Sequence, residues 1–194
     1  MVKEAILQSD IIPRFKDAGF GLENFHLHHQ VIASEWQGQV QAVENNTQEN
    51  TRNCICLNFE DLKCFEPVDR HYESLGVIFH ECLAIQPSNP AFPTHSGSIV
   101  LMGSPQTELL EVSFVRPVNL VSALVTSSQR LVLSAYGCDR QLLAQTVLPV
   151  ANLANSDSAI TPNAQLSVAA NDIHSVTFSV FNGLFTLDNF RFCT

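Results

Sequence analysis

Basic residues are scarce in this chain. Lys and Arg total 10 against 19 Asp and Glu, the net charge is -9, and no basic run occurs. Nucleic acids and anionic membranes are held by clustered cations, so no nucleic-acid partner is expected. The acidity favours cations or simply keeps the protein soluble. Glycine is equally thin, with eight in 194 residues, and none builds a phosphate-cradling loop. No apolar run reaches the ~18 residues that read as a membrane-spanning helix, so no membrane span is expected. One Trp and two Tyr are present. That leaves few aromatic platforms for stacking sugar rings and more room for a small pocket of polar loop groups.

Familiar catalytic and metal signatures are missing as well. The six cysteines comprise a C-x-C pair, Cys54 and Cys56, and four scattered ones, Cys64, Cys82, Cys138 and Cys193. Zinc sites show two close pairs, so that reading is set aside. His80-Glu81 lacks the second His of a zincin helix. Ser96 lacks the leading Gly and the strand-to-helix context of a nucleophile elbow. His26, His28 and His29 form an H-x-H-H cluster with no acid or thiol at fixed spacing, and a polar surface is the simpler account. The first residues, MVKEAILQSDIIPRF, lack the basic start, apolar core and cleavage site of a secretory leader. The protein then stays inside the cell, has its leader missing from this sequence, or leaves by another route.

What is present is a change of period. Over 1–53, Ile32, Trp36, Val40 and Val43 recur at helical spacing, which reads as a helix around 28–44, with a strand from Phe25 to Ala33 as the alternative. The polar run from Glu44 to Asn53 that follows reads as a linker or long loop. From Cys54 onward the period is two. Ile55, Leu57 and Phe59 alternate with polar neighbours, as do Leu110, Val112 and Phe114. Leu131, Leu133 and Ala135 alternate with Val132 and Ser134, and Val176, Phe178 and Val180 with Ser175, Thr177 and Ser179. Further strands are expected over 75–85, 97–103, 118–126 and 141–149, with turns at Pro87-Ser88-Asn89-Pro90, Ser104-Pro105, Gly137-Cys138-Asp139 and Asn182-Gly183. Eight or nine short strands predict an all-β fold. The expected class is an antiparallel jelly-roll β-sandwich over 54–194, preceded by a partly helical N-terminal extension over 1–53.

The last strand, NGLFTLDNFRF (182–192), breaks its own pattern. Phe185 and Leu187 share one parity, and Phe190 and Phe192 the other. Either a bulge lies at Asp188-Asn189 or the strand is buried on both faces. Asp188 stands alone among apolar residues, and Glu60 follows an equally apolar strand at the other end of the domain. If these strands are antiparallel neighbours with Glu60 near Asp188, Cys193 falls near Cys54 or Cys56 and one disulfide becomes expected. The alternative is free thiols in a reducing cell.

The motifs FEDL (59–62), Tyr72 before LGVIF (75–79), HSGS (95–98), LEVSFVRPV (110–118) and FTLDNFRF (185–192) occur in this order. Together they resemble the jelly-roll domains of bacterial exported and surface proteins of the PEP-CTERM type, and they are similar to galactose-binding-like carbohydrate modules. The resemblance covers about residues 54–193. It implies two antiparallel sheets and a structural calcium ion between the first and last strands, with Glu60, Asp188 and then Asp61 as ligands. Loop carbonyls near 95–97 would complete the shell, since calcium takes six to eight oxygens. It further implies a carbohydrate or cell-surface glycan as partner and an extracellular or cell-surface location, with a cytoplasmic one left open by the missing leader. Asn89, His95, Asp139 and Arg140 are the loop residues expected to contact the ligand. The chain is therefore expected to be a non-catalytic binding module. The alternatives are a self-associating structural module, or an enzyme using the two carboxylates Glu60 and Asp188.

Overall fold

A computed structural model of the protein describes residues 53–194. The expected helix and His cluster of the N-terminal extension lie outside these residues. Among the described residues there are nine strands and no α-helix. The strands are β1 (Cys54–Leu57), β2 (Val77–His80), β3 (Cys82–Ile85), β4 (Val100–Gly103), β5 (Leu109–Ser127), β6 (Leu131–Tyr136), β7 (Leu142–Leu148), β8 (Ala164–Val180) and β9 (Phe185–Cys193). They form one antiparallel sheet in the order β3-β4-β9-β5-β8-β6-β7, with β1 added to β9 and β2 to β5. Alternation drives this. Leu110, Val112, Leu131, Leu133, Val176 and Phe178 are all fully buried, each between more exposed neighbours.

Two long strands carry the sheet around its core. β5 and β8 pair twice, from Leu109 opposite Ser179 to Ser113 opposite Ser175, and from Leu120 opposite Ala169 to Val125 opposite Ala164. The register shifts on both sides of Val118. Pro117 stands in that interval, where the lost amide breaks no regular ladder, and Asp172 on β8 has φ 59°. The first half of β5 takes β2 on its other edge, and the second half takes β9. β2 and β9 share no ladder, yet Phe79 of β2 meets Phe190 of β9 with ring centroids 5.2 Å apart. Phe114 on β5 lies 5.5 Å from Phe192. The two halves of the sheet thus share one aromatic core.

Three segments differ from expectation. The apolar stretch 75–85 is two strands, split at Glu81 (φ 58°), and each half pairs with a different neighbour. The stretches 110–114 and 118–126 are one strand bent at its middle. β8 begins at Ala164, well before the clean alternation at 176–180. No described helix is long and apolar enough to cross a membrane.

The first and last strands of the described domain meet as expected. β1 lies along β9 with Cys54 opposite Cys193 and Leu57 opposite Phe190. Of the two candidates, Cys54 is bonded to Cys193, across 139 residues, because it is the one directly opposite. Cys56 faces Arg191 and stays free, as do Cys64, Cys82 and Cys138. Burial, then the charges of Asp69 and Glu81, push the Cys82 thiol up to about 12. Closing so long a loop restricts the unfolded chain strongly. Replacing both Cys54 and Cys193 with Ser should cost about 2–5 kcal/mol of stability. Denaturant melts would read this as a lower midpoint, and an unchanged midpoint would show that the bond does not form.

Candidate functional site

β9 changes partners along one edge. β4 pairs with Thr186 and Leu187, and β1 pairs from Phe190 to Cys193. Asp188 and Asn189 fall in the gap between them. On the other edge, Leu124 faces Asp188 and Ser122 faces Arg191. Two steps on β5 therefore span three on β9, which is a bulge. Asn189 takes φ 46° there, a conformation Asn tolerates well. The bulge resolves the parity conflict: Phe185, Leu187, Phe190 and Phe192 are all buried. It also leaves Asp188 only 1% exposed.

The connection between β3 and β4 fills the gap. Asp188 Oδ2 accepts the amides of His95 at 2.8 Å and Ser96 at 3.4 Å, and Oδ1 accepts the amide of Asn189 at 2.7 Å. Glu60 Oε1 accepts the amides of Ser98 at 2.9 Å and Ile99 at 2.8 Å. The Ser98 hydroxyl reaches Oε2 at 3.4 Å, and the Ser96 hydroxyl donates to Asn189 Oδ1 at 3.1 Å. One loop is thus held by two carboxylates, one from each end of the domain. Gly97 joins the two grips at φ 66°. A Cβ there would overlap the Glu60 carboxylate, so close approach and conformation both require glycine. The Ile99 and Ser98 amides hold the Glu60 carboxyl below its ordinary value of 4.5, outweighing a small effect of burial.

The structure brings Glu60 and Asp188 to one loop, as expected, but what meets them differs. Amide N–H groups, not loop carbonyls, face the carboxylates. Asp61 turns elsewhere. It accepts the Tyr72 hydroxyl at 2.5 Å and contacts His71 Nε2 at 2.9 Å. Burial raises its pKa, but the bonds from Tyr72 and His71 prevail and the carboxyl is held low. Burial and then the Asp61 bond push the Tyr72 hydroxyl well above its ordinary value. Asp61 thereby fastens the segment that leads into β2. Among the described residues, no group of three or more His, Cys, Asp or Glu side chains is gathered as a metal site.

The four expected ligand residues divide into pairs. Asn89 and His95 lie in the β3–β4 connection, beside a groove of about 470 Å³ lined by Gln86, Asn89, Phe92, Thr94, Gly97 and Ser98. The Asn89 side chain accepts the Ala91 amide at 3.0 Å, which leaves its NH2 end for other partners. Asp139 and Arg140 lie in the β6–β7 turn, at the opposite end of the strand order. Asp139 accepts the Gln141 amide at 3.2 Å, and Arg140 is ion-paired with Glu111. Sequence reasoning missed two asparagines that hold the loops together. Asn152, fully buried, accepts the Ser127 amide and donates to the carbonyls of Val125 and Thr161. Asn163 donates to the Pro93 carbonyl at 3.0 Å and so ties this region to the groove loop. Neither sits in a motif. Their roles come from long-range packing.

Two substitutions test the clamp. Gly97→Ala should cost about 1–2 kcal/mol for the left-handed backbone alone, with the displaced Glu60 adding to it. Because the Glu60 pKa is lowered on folding, its contribution is whole above 4.5 and fades as pH falls through the folded value. Glu60→Gln should therefore flatten the acid limb of a plot of melting temperature against pH. An acid limb identical to wild type would remove Glu60 from the account. Comparison with models of known protein families finds no match, and comparison with curated proteins finds none either.

Proposed function

We propose that residues 54–193 form a jelly-roll β-sandwich that acts as a non-catalytic binding module for carbohydrate. Support for the sandwich comes from the bend shared by β5 and β8 and from the Phe79–Phe190 contact across its two halves. The observation that carries the binding role is the clamped β3–β4 connection. It forms an open groove of amides, hydroxyls and prolines whose backbone is fixed before any ligand arrives. Fixed polar loops bind small hydroxylated ligands without a large ordering cost.

An enzyme built on Glu60 and Asp188 is the weaker reading. A general acid or base must reach a reacting proton, whereas these carboxylates are engaged by backbone amides and Asp188 is buried. The same amides bear on calcium. An ion would have to replace N–H donors that already neutralise both carboxylates, and only two acidic groups are there to meet a demand for six to eight oxygens. In this proposal the amides order the loop in place of calcium. The Cys54–Cys193 bond supports an oxidising compartment outside the cytosol.

A glycan array, probed with calcium and with chelator, tests the proposal. The wild-type protein should bind a set of glycans equally under both conditions, and Asn89→Ala should weaken that binding about tenfold. A blank array would favour the self-associating structural module instead. The melting temperature should not move when calcium is added. A rise of several degrees would restore the ion to this site.

A further inference from the structure

The groove beside Asn89 has a one-sided hydrogen-bonding pattern. None of the described residues that line its volume of about 470 Å³ is charged. Its wall is held in place. The Phe92 amide donates to the Asn89 carbonyl at 3.0 Å and closes the turn between them. The Asn163 side chain donates to the Pro93 carbonyl at 3.0 Å, and the Ala154 amide to that of Ala91 at 2.9 Å. Glu60 and Asp188 hold the rest of the loop through its amides. The polar groups of the lining therefore meet a ligand in fixed directions.

Two hydroxyls in this lining already have their protons committed. Thr94 donates to the Gly97 carbonyl at 3.0 Å, and Ser98 donates to Glu60 Oε2 at 3.4 Å. A carbonyl and an ionised carboxylate only accept. Each hydroxyl can therefore offer a ligand lone pairs and no proton. Asn89 is the converse. Its Oδ1 takes the Ala91 amide, and its NH2 end remains as a donor. Gln86 adds an amide that donates and accepts. Carbon from Phe92, Pro87, Pro90 and Pro93 makes up the apolar part of the lining.

We infer that the groove selects an uncharged sugar unit and rejects acidic ones, with Thr94 and Ser98 accepting from its hydroxyls and Asn89 donating to them. This deepens the carbohydrate-binding reading and rests on it. A sugar hydroxyl both donates and accepts, so an edge of hydroxyls matches both kinds of wall. A carboxylate only accepts. Asn89 and Gln86 could serve it, but Thr94 and Ser98 would meet it lone pair to lone pair. The Glu60 carboxylate also stands directly behind Ser98. Among the described residues that line the groove there is no Lys or Arg to offset a second negative charge. An anion taken from water without such a partner is costly. The C–H faces of a sugar ring suit the Phe92 and proline carbon. The volume lies at the lower end of the roughly 300–1,000 Å³ of small-ligand sites, which suits a single sugar unit or the end of a chain.

The test takes the neutral monosaccharide that heads the best-bound glycan of the array, the uronic acid in which its primary alcohol is a carboxylate, and its deoxy analogues. Each is titrated calorimetrically at neutral pH into wild type, Thr94→Val, Ser98→Ala and Asn89→Ala, all confirmed as folded by melting temperature. The uronic acid should bind about tenfold more weakly than the parent sugar, or worse. Thr94→Val and Ser98→Ala should each weaken the parent about tenfold. For the deoxy analogue that lacks the hydroxyl facing the altered side chain, the variant should cause no further loss. Should Ser98→Ala not fold, Thr94→Val decides the case alone. If the uronic acid binds as tightly as the parent while Asn89→Ala loses both, the selectivity is overturned and the groove reading survives. If variant and deoxy losses add for every analogue, Thr94 and Ser98 do not touch the sugar and their roles are overturned. If wild type binds no glycan at all, the carbohydrate reading falls and this inference with it.

Discussion

Two carboxylates holding the amides of one loop are the constraint on which this structure turns. β9 must leave β4 and take up β1, and between those partners its edge has nothing to pair with. A loop entering that gap brings unpaired amides of its own. Each buried donor left without a partner costs about 1–3 kcal/mol. Asp188 and Glu60 accept four of the loop's amides, at 95, 96, 98 and 99; of these residues only Ile99 is buried, so that cost falls chiefly there, and at the other three the carboxylates take the place of water. The exchange runs both ways. A carboxylate buried to 1% exposure in an apolar strand is itself costly, and the loop amides are what make Asp188 tolerable there.

The rest of the sheet is arranged so that this gap has a fixed place. β5 and β8 span both halves of the fold, so the position of β9 is set by the same strand that carries β2 on its other half. At its start, β9 packs Phe185 against Gly103 so tightly that a Cβ there would collide with the ring. At its end it is bonded to β1 through Cys193. The outer edge of β3 is covered too. Phe65 donates its amide to the Ala84 carbonyl, and Ala84 donates to the carbonyl of Glu66. A covered edge does not recruit another chain.

Much of this was legible because it is periodic. Alternation revealed the core faces of β5, β6 and the second half of β8, and the parity conflict in 185–192 pointed to the bulge. What stayed hidden lacked either period or punctuation. The run LGVIFHECLAI has no Gly, Pro or Asn at its break, because the left-handed residue is Glu81. Separate strands were expected on either side of 115–117, yet the register shift there lets one strand continue. The early part of β8, AQLSVAANDIH, buries Leu166 and Val168 but then meets Ala, Asn and Asp, so its alternation fades. In FEDL, Phe59 takes φ 64°. That breaks the strand parity, so spacing alone could not show that Glu60 and Asp61 serve different loops.

The two faces of the sheet also explain why site residues were harder to place than core residues. A core position announces itself by being apolar at the right interval, and that interval is a property of one strand. An outward position acquires meaning only from its neighbours across the ladder. Glu111, Thr177 and Ser134 are ordinary polar residues in three separate segments, and nothing in any one segment links them. Register does, and register here follows from where β5 and β8 bend. Arg140 illustrates the point: a turn residue by sequence, it belongs to the outer face only because β6 and β5, joined through β8, bring Tyr136 and Glu111 within its reach. What is gathered on such a face is therefore decided by topology first and by residue type second.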